Sequence, residues 1–284
     1  MRDAVVEVPN GRVLAYTEFG SPTGPLIVHC HGAPGSRREL ASFDGAFAER
    51  DVRVVTIDRP GYGGSSPQPD RRLENWPADA AAVADGLGAD RFAVTGFSTG
   101  GEYAVACAAL LPDRVVGAAV LSGVSDFAWP GAWEGYLEGE AAVMRMTDLS
   151  EAVAWCEAHY GADGSGFLDG GLGELAPADR AALSDEVLGG ALTASVIEAF
   201  RHGLAGYAQD VLVQGRGWTF DPAAITAPLV LVHGDADTLV PLGHPRHTAE
   251  VVPAATLRTR PGGGHVSVLL EIPQLAAEVS ASLR

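Results

Sequence analysis

The feature that most restricts how this chain folds is a rhythm: over the first 127 residues, short β-branched runs alternate with longer Ala-rich stretches. Strands are expected at 3–8, 12–19, 25–30, 52–57, 91–95 and 115–121, and amphipathic helices at about 37–50, 75–88 and 99–111, the last closed by Pro112. Strands joined through helices must cross over, and successive crossovers build a mostly parallel sheet with helices on its faces. Only the opening pair departs, because Asn10-Gly11 favours the tight turn of a hairpin.

From 128 to 217 the rhythm stops. Strand runs vanish, tryptophans and methionines appear, and helical stretches near 147–160 and 177–205 are separated by glycine clusters, those at 161–173 reading as loops. After Pro228, Leu229-Val230-Leu231-Val232 restarts the strand pattern, followed by a helix near 245–251, a strand near 255–260 and a last helix near 271–283. The expected organisation is one α/β core of about eight strands, residues 1–127 and 218–284, interrupted after the sixth strand by a helical cap, residues 128–217.

Composition narrows the chemistry. With 47% hydrophobic and 19% charged residues the chain is globular, and no apolar run approaches the roughly 18 to 20 residues that span a bilayer. Asp3 and Glu7 fall where a secretion signal would be apolar, so a cytoplasmic location is expected. A formal charge of −17 repels polyanions, so neither nucleic acid nor an anionic membrane surface is an expected partner. All 19 basic residues are arginine, which excludes a lysine Schiff base, a Ser-Lys dyad and a P-loop lysine. Cys30, Cys107 and Cys156 lie far apart in apolar surroundings and without metal-binding spacing, as buried thiols do.

Gly96-Phe97-Ser98-Thr99-Gly100 matches G-x-S-x-G, which alone is weak in a chain with 36 glycines. Its setting is specific: it directly follows a strand and directly precedes an Ala-rich helix, as a nucleophile elbow does. A serine hydroxyl needs a base. His265, in the loop Gly262-Gly263-Gly264-His265 after the last strand, is the best placed of eight histidines. His29 and His233 fall on strands, and His159, His202, His244 and His247 fall where exposure is expected. The acid that orients the imidazole is expected at Asp237, with Asp235 and Asp126 as rivals. His31-Gly32-Ala33-Pro34 follows a buried strand, and the Ala33 and Thr99 N–H groups are assigned as an oxyanion hole. Phe97, Trp129, Trp133, Tyr136 and Met144 are candidates for the substrate pocket. Trp218 and Phe220, at the exit from the cap, are expected to pack as a hinge. His244-Pro245-Arg246-His247 lacks a third metal ligand nearby, and no G-x-G-x-x-G follows a strand, so neither metal nor cofactor is expected.

Taken in order, His31-Gly32-x-Pro34, Asp58-Arg59-Pro60-Gly61-Tyr62-Gly63-Gly64-Ser65, the Ser98 elbow, His233-Gly234-x-x-Asp237-x-x-Val240-Pro241 and Gly264-His265 resemble the capped α/β-hydrolase family over nearly the whole chain. The resemblance implies that fold, a Ser98–His265–Asp237 triad, a small-molecule acyl substrate and hydrolysis of an ester, thioester or lactone. It gives the Asp58–Ser65 segment a structural role. Epoxide hydrolases and haloalkane dehalogenases of this fold carry aspartate where Ser98 stands. Proline iminopeptidases usually carry glycine and tryptophan where Ala33 and Thr99 stand. Carbon–carbon bond hydrolysis, a lyase or cyclase step, or ligand binding without turnover are the alternatives.

Overall fold

In a computed structural model, which describes residues 1–169 and 175–284, the strands are β1 Arg2–Glu7, β2 Val13–Gly20, β3 Leu26–Cys30, β4 Arg53–Ile57, β5 Phe92–Phe97, β6 Val115–Leu121, β7 Leu229–Gly234 and β8 Ala255–Arg260. They form one sheet in the order β1-β2-β4-β3-β5-β6-β7-β8. The β1–β2 and β2–β4 pairs are antiparallel, and the rest are parallel. The hairpin at Asn10-Gly11 is closed by hydrogen bonds between Val8 and Arg12 and between Gly11 and Val8.

Alternation along the strands fills both faces. Leu26, Val28 and Cys30 of β3 enter one core with Phe92 and Val94 of β5, while Ile27, Ala93 and Phe97 enter the opposite one. The flanking helices are α1 Asp44–Glu49, α2 Trp76–Gly86, α3 Gly100–Leu110, α10 Gly243–Val251 and α11 Ile272–Val279, numbered with the six helices given next. Between β6 and β7 the chain leaves the sheet for α4 Glu138–Met144, α5 Leu149–Tyr160, α6 Gly166–Asp169, α7 Pro177–Ser184, α8 Glu186–Ala199 and α9 Ala205–Gly215. All but α7 contribute to a third apolar cluster around Tyr62, Phe127, Phe200 and Tyr207, while Ala182 of α7 packs into the second core. No helix among the described residues is long and apolar enough to cross a membrane.

Two expected helices, one helix that was not expected and one expected loop need correction. The stretch 37–50 is helical only from 41, because Asp58 takes both the Arg37 N–H and its guanidinium, each at 2.6 Å, and pins the chain in turns. The stretch 177–205 is two helices, because the Asp185 side chain accepts from the N–H groups of Val187 and Leu188 and starts a new one. Helix α9 carries no amphipathic stripe to detect, since residues 206–214 are buried throughout. The glycine-rich stretch 161–173, expected as loops, contains α6; its residues 170–173 lie outside the described residues.

Candidate active site

All the expected site elements sit at the C-terminal ends of parallel strands, around the point where the chain order reverses between β3 and β5. That crevice is where parallel α/β sheets bind ligands. Ser98 lies between β5 and α3 with φ of 54°, a left-handed conformation that costs a non-glycine residue about 1–3 kcal/mol. The turn holds because its own N–H donates to Leu121 O at 2.9 Å and its carbonyl accepts from Gly101 N–H at 2.9 Å. The glycines of the motif are steric requirements: a Cβ on Gly96 would strike the Gly100 carbonyl, and one on Gly100 would strike the carbonyls of Cys30 and His31.

His265 Nδ1 lies 2.9 Å from Asp237 Oδ2. With Nδ1–H donating to the carboxylate, Nε2 keeps its lone pair for another partner. Asp237 Oδ1 accepts from Leu239 and Val240 N–H, both at 2.9 Å, and His233 Nε2 lies 3.2 Å from Oδ2 while donating to Val240 O. Burial pulls the His265 pKa down, but the charge and hydrogen bond of Asp237, helped by Asp179 and Glu140, outweigh it and hold the imidazole above its ordinary value. Burial likewise pushes Asp237 up, and its two histidines leave it below the usual carboxylate range. The rival acids are engaged elsewhere: Asp235 is exposed and accepts from Gly262 N–H, and Asp126 accepts from Ala128 and Trp218 N–H.

A cavity of about 430 Å³ joins these groups, lined by Ala33, Pro34, Ser98, Thr99 and His265 from the core and by Tyr136, Glu140, Tyr160 and Phe167 from the helical insertion. Among the described residues, neither the Ala33 nor the Thr99 N–H donates to a protein acceptor. Ser98 Oγ and His265 face one cavity without a hydrogen bond between them among the described contacts.

Of the five expected pocket side chains only Tyr136 lines this cavity. Phe97 points to the opposite face of the sheet and packs on the His265 ring at 5.1 Å. Trp129 stacks on His247 at 4.2 Å, Trp133 donates to Phe127 O, and Met144 is buried in the insertion's own core. Aromatic residues in an insertion satisfy its internal packing first. His244 is also a correction: it is buried against Phe127 and Tyr136, takes the Ser125 N–H at 3.0 Å, and is driven by burial down to about 4. Trp218 and Phe220 stack on each other where the insertion rejoins the core.

Four polar residues shape the site from behind: Asp179, Glu39 and Asp210 carry no motif, and Arg59 belongs to the Asp58–Ser65 segment. Asp179, the third residue of α7, is fully buried and accepts from the backbone N–H groups of His265, Val266 and Ser267 at 2.7–2.9 Å. Gly264 is glycine because a Cβ there would collide with that carboxylate. Glu39 accepts from Gly32 N–H at 2.9 Å and meets His29 Nε2 at 2.8 Å. Arg59 donates to the carbonyls of His31 and Gly32, directly behind Ala33, and is held by Asp210 of α9 at 2.7 Å. The Asp58–Ser65 turn therefore braces the Ala33 loop against the helical insertion.

A model of the alpha/beta hydrolase fold family matches residues 25–272, and the chain belongs to that family. It is 28% identical over 270 residues to a non-heme haloperoxidase of Rhodococcus erythropolis, covering 92% of each chain. It is 37% identical over 102 residues, 35% of this chain, to epoxide hydrolase B of Mycobacterium tuberculosis. Among solved structures, epoxide hydrolase A of Mycobacterium thermoresistibile superposes with a TM-score of 0.72 at 25% identity, covering 99% of this chain and 96% of that one. Its family relatives are named as hydrolases, esterases, epoxide hydrolases and haloperoxidases, and this chain is an α/β-fold hydrolase.

Proposed function

We propose that the protein is a serine hydrolase that cleaves an ester, thioester or lactone of a small organic substrate through an acyl-enzyme. The observation that carries this reading is the joint placement of Ser98 at a strained turn, the Asp237-bound His265 and two unengaged amide donors around one cavity. Ser98 Oγ attacks the carbonyl, and His265 Nε2 accepts its proton. The resulting imidazolium is stabilised by Asp237, and the same proton then passes to the leaving group. Ala33 and Thr99 N–H groups receive the tetrahedral oxyanion, with α3 directing its positive end toward it. Water, deprotonated by His265, releases the acid. The helical insertion, residues 128–217, serves as a cap that walls the cavity and limits water.

Serine at the elbow argues against epoxide opening, which in relatives of this fold uses aspartate there. A purified Ser98→Ala protein that hydrolysed p-nitrophenyl butyrate at the wild-type rate would refute this reading. The near full-length likeness to a haloperoxidase supports a second reading, in which hydrogen peroxide instead of water attacks the acyl group and releases a peroxy acid. Bromination of monochlorodimedone in the presence of enzyme, peroxide, acetate and bromide, which the peroxy acid oxidises to the brominating species, tests it, and the activity must disappear in Ser98→Ala.

A further inference from the structure

Glu140, on α4, is the one carboxylate among the described residues that lines the cavity holding Ser98. Its partners among the described residues are hydroxyl groups alone, Tyr136 at 3.0 Å and Tyr207 at 3.4 Å. Several buried acids in this chain are matched with guanidinium groups, Asp210 with Arg59 and Arg71 and Asp58 with Arg37, while Asp179 is met by three backbone N–H groups and Asp237 by two histidines. The arginine nearest to Glu140 in sequence, Arg145, instead lies over the Trp133 ring at 4.3 Å. Among the described residues, no arginine lines the cavity. The charge of Glu140 reaches the His265 imidazole, but among the described residues no cationic group contacts the carboxylate directly, so a ligand in the cavity can supply one.

The surrounding surface suits the same ligand. Tyr136, Tyr160 and Phe167 line the cavity with Glu140, and Tyr160 stacks on Phe167 with centroids 3.8 Å apart. Aromatic faces beside a carboxylate form a site for an ammonium group. Two tyrosine hydroxyls donating to Glu140 leave lone pairs of the carboxylate for a third donor from the cavity.

We infer that Glu140, with Tyr136 and the aromatic wall of Tyr160 and Phe167, is a specificity subsite that recognises a cationic, hydrogen-bond-donating group such as a primary ammonium on the substrate. The same subsite rejects substrates bearing a carboxylate at that position, because Glu140 repels a second negative charge. This subsite rests on the Ser98 hydrolase reading only for its role in turnover; as a binding site it stands by itself.

Three p-nitrophenyl esters with the same six-carbon chain test it: hexanoate, 6-aminohexanoate and the adipate monoester. A charge-assisted hydrogen bond corresponds to about tenfold to a hundredfold in affinity. We expect kcat/KM for the amino ester to exceed that for the adipate ester at least a hundredfold in the wild type, and this ratio to fall at least tenfold in Glu140→Gln. A wild-type ratio near one, or a ratio unchanged in Glu140→Gln, overturns the proposal. A measurement needing no variant supports it independently: hexylammonium must protect Ser98 of the wild type from a fluorophosphonate at concentrations at least tenfold lower than hexanoate, and equal protection refutes the subsite. If Ser98 is inert to fluorophosphonate, the hydrolase reading fails by itself. Calorimetric titration with hexylammonium then decides the subsite, with binding that is lost in Glu140→Gln upholding it and no binding to the wild type rejecting it.

Discussion

Replacing Asp210 by asparagine removes one negative charge from the most enclosed ionic cluster in the protein. Asp210 is fully buried, and its oxygens accept from Arg59 Nε at 2.8 Å, from Arg71, and from the hydroxyls of Tyr62 and Tyr103, each at 2.8 Å. Asparagine keeps the shape but leaves two buried guanidinium groups without their counter-charge. Breaking a buried pair from one side costs about 3–5 kcal/mol. Glu102 moderates this. Its carboxyl is buried with Oε1 unpartnered, and burial together with the charge of Asp210 pushes its pKa well up. Once Asp210 is neutral, Glu102 ionises more readily beside Arg59 and Arg71 and restores part of the balance. The single variant should therefore lose about 3 kcal/mol, and Asp210→Asn with Glu102→Gln about 5 kcal/mol, more than the two single losses combined. With a urea m-value of about 3 kcal/mol/M the single variant shifts the unfolding midpoint down by about 1 M. A loss below about 1 kcal/mol, or strictly additive losses in the double variant, would refute the claim that Asp210 and Glu102 share one electrostatic cluster.

Other consequences follow from the site. Because Asp237, Asp179 and Glu140 hold the His265 pKa up against burial, the proton stays on to higher pH and the free base is lost as pH falls. The acid limb of kcat/KM for p-nitrophenyl butyrate should lie above about 6.5, the ordinary histidine value; a limb at or below 6 contradicts the assignment. Asp237→Asn should lower kcat by about 10⁴, since the imidazole loses the partner that fixes its tautomer; stopped assays at matched enzyme concentration measure this, and a loss under tenfold would return Asp235 or Asp126 to consideration. Asp179→Ala strands three backbone N–H groups at about 1–3 kcal/mol each, so thermal unfolding should show a loss of at least 3 kcal/mol. Phe167→Ala should alter acyl-chain preference severalfold while Trp129→Ala leaves it unchanged, as kcat/KM across a series of p-nitrophenyl esters will show.

What the sequence made legible follows from which interactions are local. The inner parallel strands were readable because strands buried on both faces are continuous apolar, β-branched runs, as at Leu229–Val232, and the antiparallel opening pair because Asn10-Gly11 marks its turn. The Ser98 elbow was readable because its glycines are fixed by backbone collisions within the motif and with the strand next to it. Asp237 was preferred to Asp235 in sequence for lying past the turn, and in space it meets His265 while Asp235 is exposed and accepts from Gly262 N–H. Asp179, Glu140 and Asp210 were invisible because each acts across more than 60 residues of chain, and each looks in sequence like an ordinary surface acid on a helix. The pocket was not legible for a related reason: Met144 is buried within the insertion and Trp129 stacks on His247 of α10, while Tyr160 and Phe167, which line the cavity, carry no local mark.

The most direct test of the central claim is to quench wild-type protein during turnover of p-nitrophenyl butyrate and map the acylated residue by peptide mass spectrometry. A butyryl group on the peptide containing Ser98, accumulating with the burst of p-nitrophenol and absent in His265→Ala, is the predicted result. Sustained hydrolysis with Ser98 unmodified, or with the butyryl group on another residue, would contradict it.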